Sequence, residues 1–343
     1  MHKWFPKAGV RRTYKTMVMG LIAAGLFWAG CSGSGVPAVS TQKATVGTAP
    51  LVVAVTVEPL NWLVSQIGGD TVRAITVVPP GQNHETWEPA PGHMDSLRQA
   101  AVYFESGMPF EEPLISRLRG LNPSLETVCL LDTVTEKWSP PEDPVGKNHQ
   151  QDDAQVKETE ASDLEADHGI NEHEHHHAHG DPHFWTDPRA MAAAAEQVAA
   201  VLEKQLPEHT ATIRERLESV LRTLTDLDRE LAGMLASCRG RRYYVFHPET
   251  GWFARRYGLI ERAAEQHGKA PGARALDDLA KEIRKTGASV LLTQPGYSVT
   301  EVQALARQLN LQVREMNLMI PDYPEAMRGL ARTLVESFPR NTP

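Results

Sequence analysis

Residues 208–236 read EHTATIRERLESVLRTLTDLDRELAGMLA, and the reading of this stretch decides the architecture. Its apolar residues Ile213, Leu217, Val220, Leu224, Leu227, Leu231 and Met234 step alternately by four and three, the spacing of one helix face. At ~1.5 Å per residue a helix of this length spans about 43 Å, longer than one small domain needs. Two readings follow: an ordinary core helix or coiled-coil strand, or a rigid spine joining two lobes.

The flanks supply the lobes. On the N-terminal side, strand patterns at Leu51–Val57, Val72–Val78, Ala101–Phe104 and Thr127–Leu131 alternate with helix patterns at Pro59–Gly68, Asp95–Ala101 and Glu112–Leu121. Pro188–Leu206 is an Ala-rich helix that Pro207 interrupts. On the C-terminal side, strands at Tyr243–Phe246, Ser289–Thr293 and Leu311–Glu315 alternate with helices at Gly251–Tyr257, Ala275–Thr286, Ser298–Leu309 and Tyr323–Ser337. Such alternation predicts parallel sheets with helical crossovers, an α/β fold on either side of the long helix. The expected divisions are an N-terminal lobe over 50–187, a helical region over 188–238 and a C-terminal lobe over 239–343.

The chain has 343 residues, which fits two domains at roughly 100–200 residues each. Charged residues make up 23% and apolar ones 41%, so a polytopic membrane protein is excluded. The net charge is −8, and residues 1–30 hold five basic residues (Lys3, Lys7, Arg11, Arg12 and Lys15) and no acid. The remainder is therefore still more acidic, without a basic stripe, which argues against nucleic acid as a partner.

Residues 1–31 have the layout of a secretory signal: a basic start, the apolar run Met17–Gly30, then Ala29-Gly30-Cys31. The run is shorter than the about 20 residues a spanning helix needs. Cys after Ala-Gly resembles a lipoprotein processing site, where Cys31 would carry the lipid and anchor the chain to a membrane. Trp28 stands where Leu is usual, and a plain signal cut nearby is the other reading. Residues 32–49, rich in Ser, Gly, Thr and Ala, read as a flexible tether. Export implies an oxidising compartment, in which Cys129 and Cys238 either pair or stand as two sequestered thiols.

Residues 140–180 break the N-terminal lobe. Pro140–Asp181 holds twelve acids against two Lys and seven of the fourteen His, with almost no apolar content. Such a stretch cannot bury enough surface to offset its ordering entropy and reads as a disordered insertion. Its cluster from His168 to His179 offers clustered imidazoles among acids, suited to weak, exchangeable metal capture.

Three further histidines stand at element ends, far apart in sequence. His84 follows a strand in Pro79-Pro-Gly-Gln-Asn-His84-Glu-Thr-Trp-Glu-Pro89. His183 precedes a helix in Asp181-Pro-His183-Phe-Trp-Thr-Asp187-Pro188, and His247 follows a strand in Tyr243-Tyr-Val-Phe-His247-Pro-Glu-Thr250. Ligands in open α/β sheets bind outside the carboxyl ends of the strands, and imidazole is a preferred ligand for Zn2+.

These three motifs carry a resemblance. Residues 50–340 resemble the zinc/manganese-type solute-binding proteins of bacterial ABC importers. The Gly81–Pro89 loop, the Asp181–Pro188 segment and the run from Phe246-His247 through Arg256-Tyr-Gly-Leu259 agree with that family in order and spacing, as does the long helix between the second and third. The resemblance implies two α/β lobes, each a parallel sheet flanked by helices, joined by one long backbone helix, with metal in the cleft. It also implies His84, His183 and His247 as ligands, Zn2+ as the transported ion ahead of Mn2+, an ABC permease as partner, and a monomer in the periplasm or on a membrane. An internal His-rich loop before the second ligand, which the family also has, leans toward zinc. Where many members carry a carboxylate, this sequence has Asn317 and Gln294, and the fourth ligand stays open among water, Asn317, Gln294 and a nearby acid, Glu85 or Glu315.

Other classes fit less well. A histidine triad with an open position also suits a catalytic zinc, but no HExxH, Gly-x-Ser-x-Gly or phosphate-cradling loop accompanies it, so no enzyme is expected. A metal-buffering or adhesin-like surface lipoprotein would place the function in the His-rich insertion instead.

Overall fold

The computed structural model describes residues 49–84, 87–138, 180–265 and 272–338. The signal region, most of the tether, Glu85 and the His-rich cluster lie outside the described residues.

Two four-stranded sheets, all parallel, repeat one topology. The first joins β1 (Leu51–Val55), β2 (Val72–Thr76), β3 (Val102–Glu105) and β4 (Glu126–Cys129) in the order β2-β1-β3-β4. The second joins β5 (Arg242–Val245), β6 (Ile260–Ala263), β7 (Val290–Thr293) and β8 (Gln312–Glu315) in the order β6-β5-β7-β8. Helices α1 (Glu58–Gly68), α2 (Pro91–Leu97), α3 (Glu111–Leu121) and α4 (Leu130–Lys137) belong to the first half. Helices α5 (Pro188–Gln205) and α6 (Thr210–Met234) follow, then α7 (Gly251–Tyr257), α8 (Ala273–Thr286), α9 (Val299–Leu309) and α10 (Tyr323–Ser337). Among the described residues no helix is long and apolar enough to cross a membrane.

The long helix is α6. Its 25 residues span about 38 Å, somewhat less than the sequence pattern predicts, because Pro207–His209 forms a separate tight turn before it. Ile213, Val220, Leu224, Leu227 and Leu231 of its apolar ladder are buried, against α5, α1 and α10. Arg216 donates to the Gly68 carbonyl at 2.7 Å at the end of α1, and Arg328 of α10 pairs with Glu230 at 2.9 Å. Asp228 near its far end accepts from Arg189 of α5, from Arg256 and from the Tyr257 hydroxyl of α7. One apolar cluster runs from Val53 and Phe104 of the first sheet through α5 and α6 to Val245 and Leu292 of the second. Separate clusters cover the outer faces, around Tyr103 in the first half and Leu291 in the second.

Three elements, α2, β4 and β6, differ from the sequence expectations. Helix α2 begins at Pro91, whose fixed φ suits a first turn, four residues before the predicted start. Strand β4 ends at Cys129, and Leu130–Leu131 open α4 instead: one apolar run is shared by a strand and a helix that bury it in turn. Strand β6, unread in the sequence, has Glu261 and Arg262 at its centre, which hide its pattern. Cys129 and Cys238 are both free thiols, and burial pushes the Cys129 thiol up to about 12.

Candidate metal centre

Each of the three histidines comes from a different piece of this frame. His84 lies in the loop between the carboxyl end of β2 and α2. His183 precedes the tight turn Phe184–Thr186 that feeds α5, whose N-cap Asp187 accepts from the Arg189 amide at 2.8 Å. His247 leaves the carboxyl end of β5, four residues before α7 starts.

They converge. The three imidazoles are buried, at 4%, 4% and 7% exposure, and each offers a ring nitrogen within 4.8 Å of the others. Ring centroids stand 5.3, 5.9 and 5.8 Å apart, with every pair edge-to-face. His84 Nε2 and His183 Nε2 are 3.2 Å apart. Two nitrogens bound tetrahedrally to Zn2+ at ~2.0–2.1 Å would stand about 3.3 Å from each other, so the spacing suits one shared ion.

A shell of polar groups orients the rings. Asp181 Oδ1 accepts from the His183 amide at 3.1 Å and lies 2.9 Å from His183 Nδ1. A carboxylate only accepts, so Nδ1 carries the proton and the Nε2 lone pair faces the cluster. Asp181 is itself held by α7: Trp252 Nε1 donates to its carbonyl at 2.8 Å and Arg255 lies 3.4 Å from its carboxylate. Gly251 has no side chain at this junction, where a Cβ would come within 2.7 Å of Asp181 Oδ2. Burial works to lower the His183 pKa, but the Asp181 bond and charge and the buried Glu249 outweigh it, and the pKa is raised. Burial likewise works to raise that of Asp181, but His183 and Arg255 hold it below the usual carboxylate range.

His247 has its own supports. Glu265 Oε2 is 3.4 Å from its Nδ1, the Gln294 amide donates to its carbonyl at 3.3 Å, and the Tyr297 ring stacks on it at 5.3 Å. The buried Trp185 closes the floor, edge-on to His183 at 5.2 Å.

The other candidate donors separate. Asn317 is exposed and its Oδ1 accepts from the Met319 amide, and Glu315 is exposed as well. Glu85 lies outside the described residues. Gln294 is buried beside His247, with its Oε1 lacking a hydrogen-bond partner among the described residues. Sequence reasoning missed Asp181, Glu265 and Tyr297 as supports. Asp181 was visible as an acid two residues before a histidine, a spacing that lets it meet both the amide and the ring. Glu265 follows β6, and without that strand nothing marks it.

The profile of the family described as "Zinc-uptake complex component A periplasmic" matches residues 53–337. The high-affinity zinc uptake system protein ZnuA of Haemophilus ducreyi is 30% identical over 160 residues, 44% of this chain and 52% of that protein. The chain thus spans about half the length of that curated relative. A crystal structure of ZnuA superposes with a TM-score of 0.69 at 23% identity, covering 84% of this chain and all of that one. A ZnuA internal-deletion mutant with zinc bound gives 0.68 at 22% identity, covering 84% of this chain and 98% of that one. At these identities the superpositions speak to the fold alone, but the family profile covers most of the sequence, both sheets and every one of the three histidines. The chain belongs to the family of periplasmic zinc-uptake complex component A.

Proposed function

We propose that this protein captures Zn2+ outside the cytoplasmic membrane and delivers it to the permease of an ABC-type importer, with His84, His183 and His247 as the ligands. The observation that carries this reading is the convergence of three buried imidazoles, drawn from three separate segments, with ring nitrogens within 4.8 Å of one another. One cation would satisfy all three ring nitrogens at once, offsetting the cost of burying them together. All-nitrogen donors favour Zn2+; the harder Mn2+ prefers more carboxylate oxygen, and no acid joins the cluster among the described residues. The family description and the curated relatives' names support the same cargo. A zinc-bound deletion mutant among the structural relatives supports a cleft site that works without every loop.

Ligation by neutral imidazole makes capture pH-dependent, because acid competes with the metal for each ring. Release falls to the membrane partner, since a buried histidine site sheds its ion slowly. The accessory insertion at 140–180 gathers zinc for the carrier, and Cys31 holds the mature chain to a membrane.

The test is a zinc titration of metal-stripped protein against a competing chelator. The parent binds one ion tightly and prefers Zn2+ to Mn2+. Deleting 142–180 leaves that site in place, and H84A and H247A each weaken it by about 100-fold or more, as loss of one of a few strong ligands requires. Tight binding that departs with the insertion would refute the cleft carrier.

A further inference from the structure

The turn between β7 and α9, Gln294-Pro295-Gly296-Tyr297-Ser298, belongs to the second half of the molecule and touches the first. Gly296 has φ +92, and a Cβ placed on it would lie 2.6 Å from the Asn83 amide nitrogen and 2.8 Å from the Gln82 carbonyl carbon. Asn83 directly precedes His84. On either side of Gly296 the same turn grips His247: Gln294 Nε2 donates to its carbonyl and Tyr297 stacks on its ring. Tyr297 also stands edge-on to Phe246 at 5.5 Å. One residue without a side chain therefore joins the backbone beside one histidine of the centre to the loop holding another.

We propose that Gly296 is the closure contact of the cleft and sets how long zinc is retained. This rests on the carrier reading above. For the ion to leave, the loop holding His84 must part from the turn that grips His247, and the Gly296–Asn83 contact is where those backbones meet. The bare Cα lets them touch and keeps water from the ion at that point. The obstruction facing a side chain here is backbone, which cannot swing aside. Gly69 shows the contrast: its Cβ would meet the Arg216 guanidinium, the far end of a flexible side chain. At Gly296 relief requires the two loops to separate by about 1 Å to reach ordinary contact distance. A ligand set tolerates about 0.5 Å of misplacement before its geometry is lost. Gly296 ligates nothing; it is a positioning residue, and its signature is a faster release of an ion still bound by the same ligands.

The experiment compares zinc dissociation into excess chelator, by stopped flow, for the parent, G296A and G287A. Gly287 has φ +66 with open space around its Cβ position, so it reports the backbone cost of alanine in the left-handed region without a contact. G296A keeps one zinc per chain and releases it about ten-fold faster or more, as an overpacked contact of this kind demands. G287A stays within about two-fold of the parent, because its strain lies away from the cleft. Equal rates for parent and G296A, or equal acceleration in both variants, would overturn the assignment. Hydrogen exchange on the parent decides the matter even where G296A fails to fold: zinc should slow exchange in 79–84 and 294–298 together. Protection of 79–84 alone would overturn the closure contact. A parent that takes up no zinc refutes the carrier reading and the closure contact with it, whereas a zinc-holding parent matched by G296A refutes the contact alone.

Discussion

The two sheets share one strand order, so each has one point where successive crossovers diverge, between β1 and β3 in the first and between β5 and β7 in the second. Such a crevice is where an open α/β sheet takes a ligand. In the first sheet the chain fills it with its own carboxylate. Glu111, 1% exposed, accepts from the amides of Ser106, Gly107 and Met108, from the Tyr103 hydroxyl at 2.8 Å, and from Thr56. In the second sheet the corresponding strand ends lead to His247 and Gln294, which face the histidine cluster. The same topology is plugged in one half and put to use in the other. Topology supplies a crevice, and one acidic side chain at the start of α3 decides that it is not a binding site. The metal centre is correspondingly lopsided: His84 comes from the loop after β2, beside the plugged crevice rather than from it.

The largest effect expected from breaking this contrast is on stability. E111A takes an acceptor from three buried backbone amides and three hydroxyls at once, at about 1–3 kcal/mol for each group that finds no other partner. Relaxation and solvation recover part of this, and a loss of about 3–5 kcal/mol in urea unfolding is expected. E111Q, which keeps an acceptor oxygen, should fall between parent and E111A. A loss below about 1 kcal/mol in E111A would mean the plug is not what holds that crevice shut.

Much of this was legible in the sequence, and the failures have physical causes. The ladder from Ile213 to Leu231 announced α6 because one side of it is buried along most of its length. The three histidines were legible through the motifs around them and their place at strand ends. Lone histidines carry no such signal, and their convergence depends on how β2, β5 and α5 are arranged. Strand β6 was hidden because Glu261 and Arg262 stand in its middle, where Glu261 finds hydrogen bonds and Arg262 pairs with Glu282. Glu111 stood just before the helix predicted from Glu112 and was not singled out; an acid at a helix start is ordinary, because the helix dipole favours one. Its plugging role depends on Thr56, which follows β1, and on Tyr103 of β3.

The second sheet has its own buried carboxylate, on β6 rather than in the crevice, and there the expected effect is pH-dependent. Glu261 accepts from the Thr250 amide at 2.9 Å and from the Thr250 hydroxyl at the start of α7, and the Tyr243 hydroxyl lies 3.4 Å away. Burial, with the Asp181 charge adding to it, lifts its carboxyl from 4.5 to about 7 against the pull of those bonds. A folded-state pKa raised above the unfolded one means the folded protein binds the proton more tightly. The resulting stability is full below about pH 4.5 and is lost as pH rises through about 7. From pH 5 to pH 8 the parent should lose about 1–3 kcal/mol relative to E261Q, measured by urea unfolding of the metal-free protein at each pH. Zinc affinity should run the other way, rising with pH as the imidazoles shed protons. A parent and E261Q that track each other across this range would show that the carboxylate is solvated in the folded state.

The smallest effect concerns the two amides that stand where a fourth donor is sought. Gln294 supports His247 from within the cleft, while Asn317 faces solvent and spends its oxygen on the Met319 amide. Q294L removes the donor to the His247 carbonyl and a buried amide oxygen beside the cluster, and should weaken zinc binding by about ten-fold, the usual toll for an outer support of a metal ligand. N317A should leave affinity within about two-fold, because exposed polar groups away from the ion contribute little. Chelator competition on the two variants measures both. The reverse order would require the segment after β8 to turn inward on binding, bringing Asn317 to the ion. The second crevice would then owe its use to a loop that folds over it rather than to the strand ends already facing the histidines.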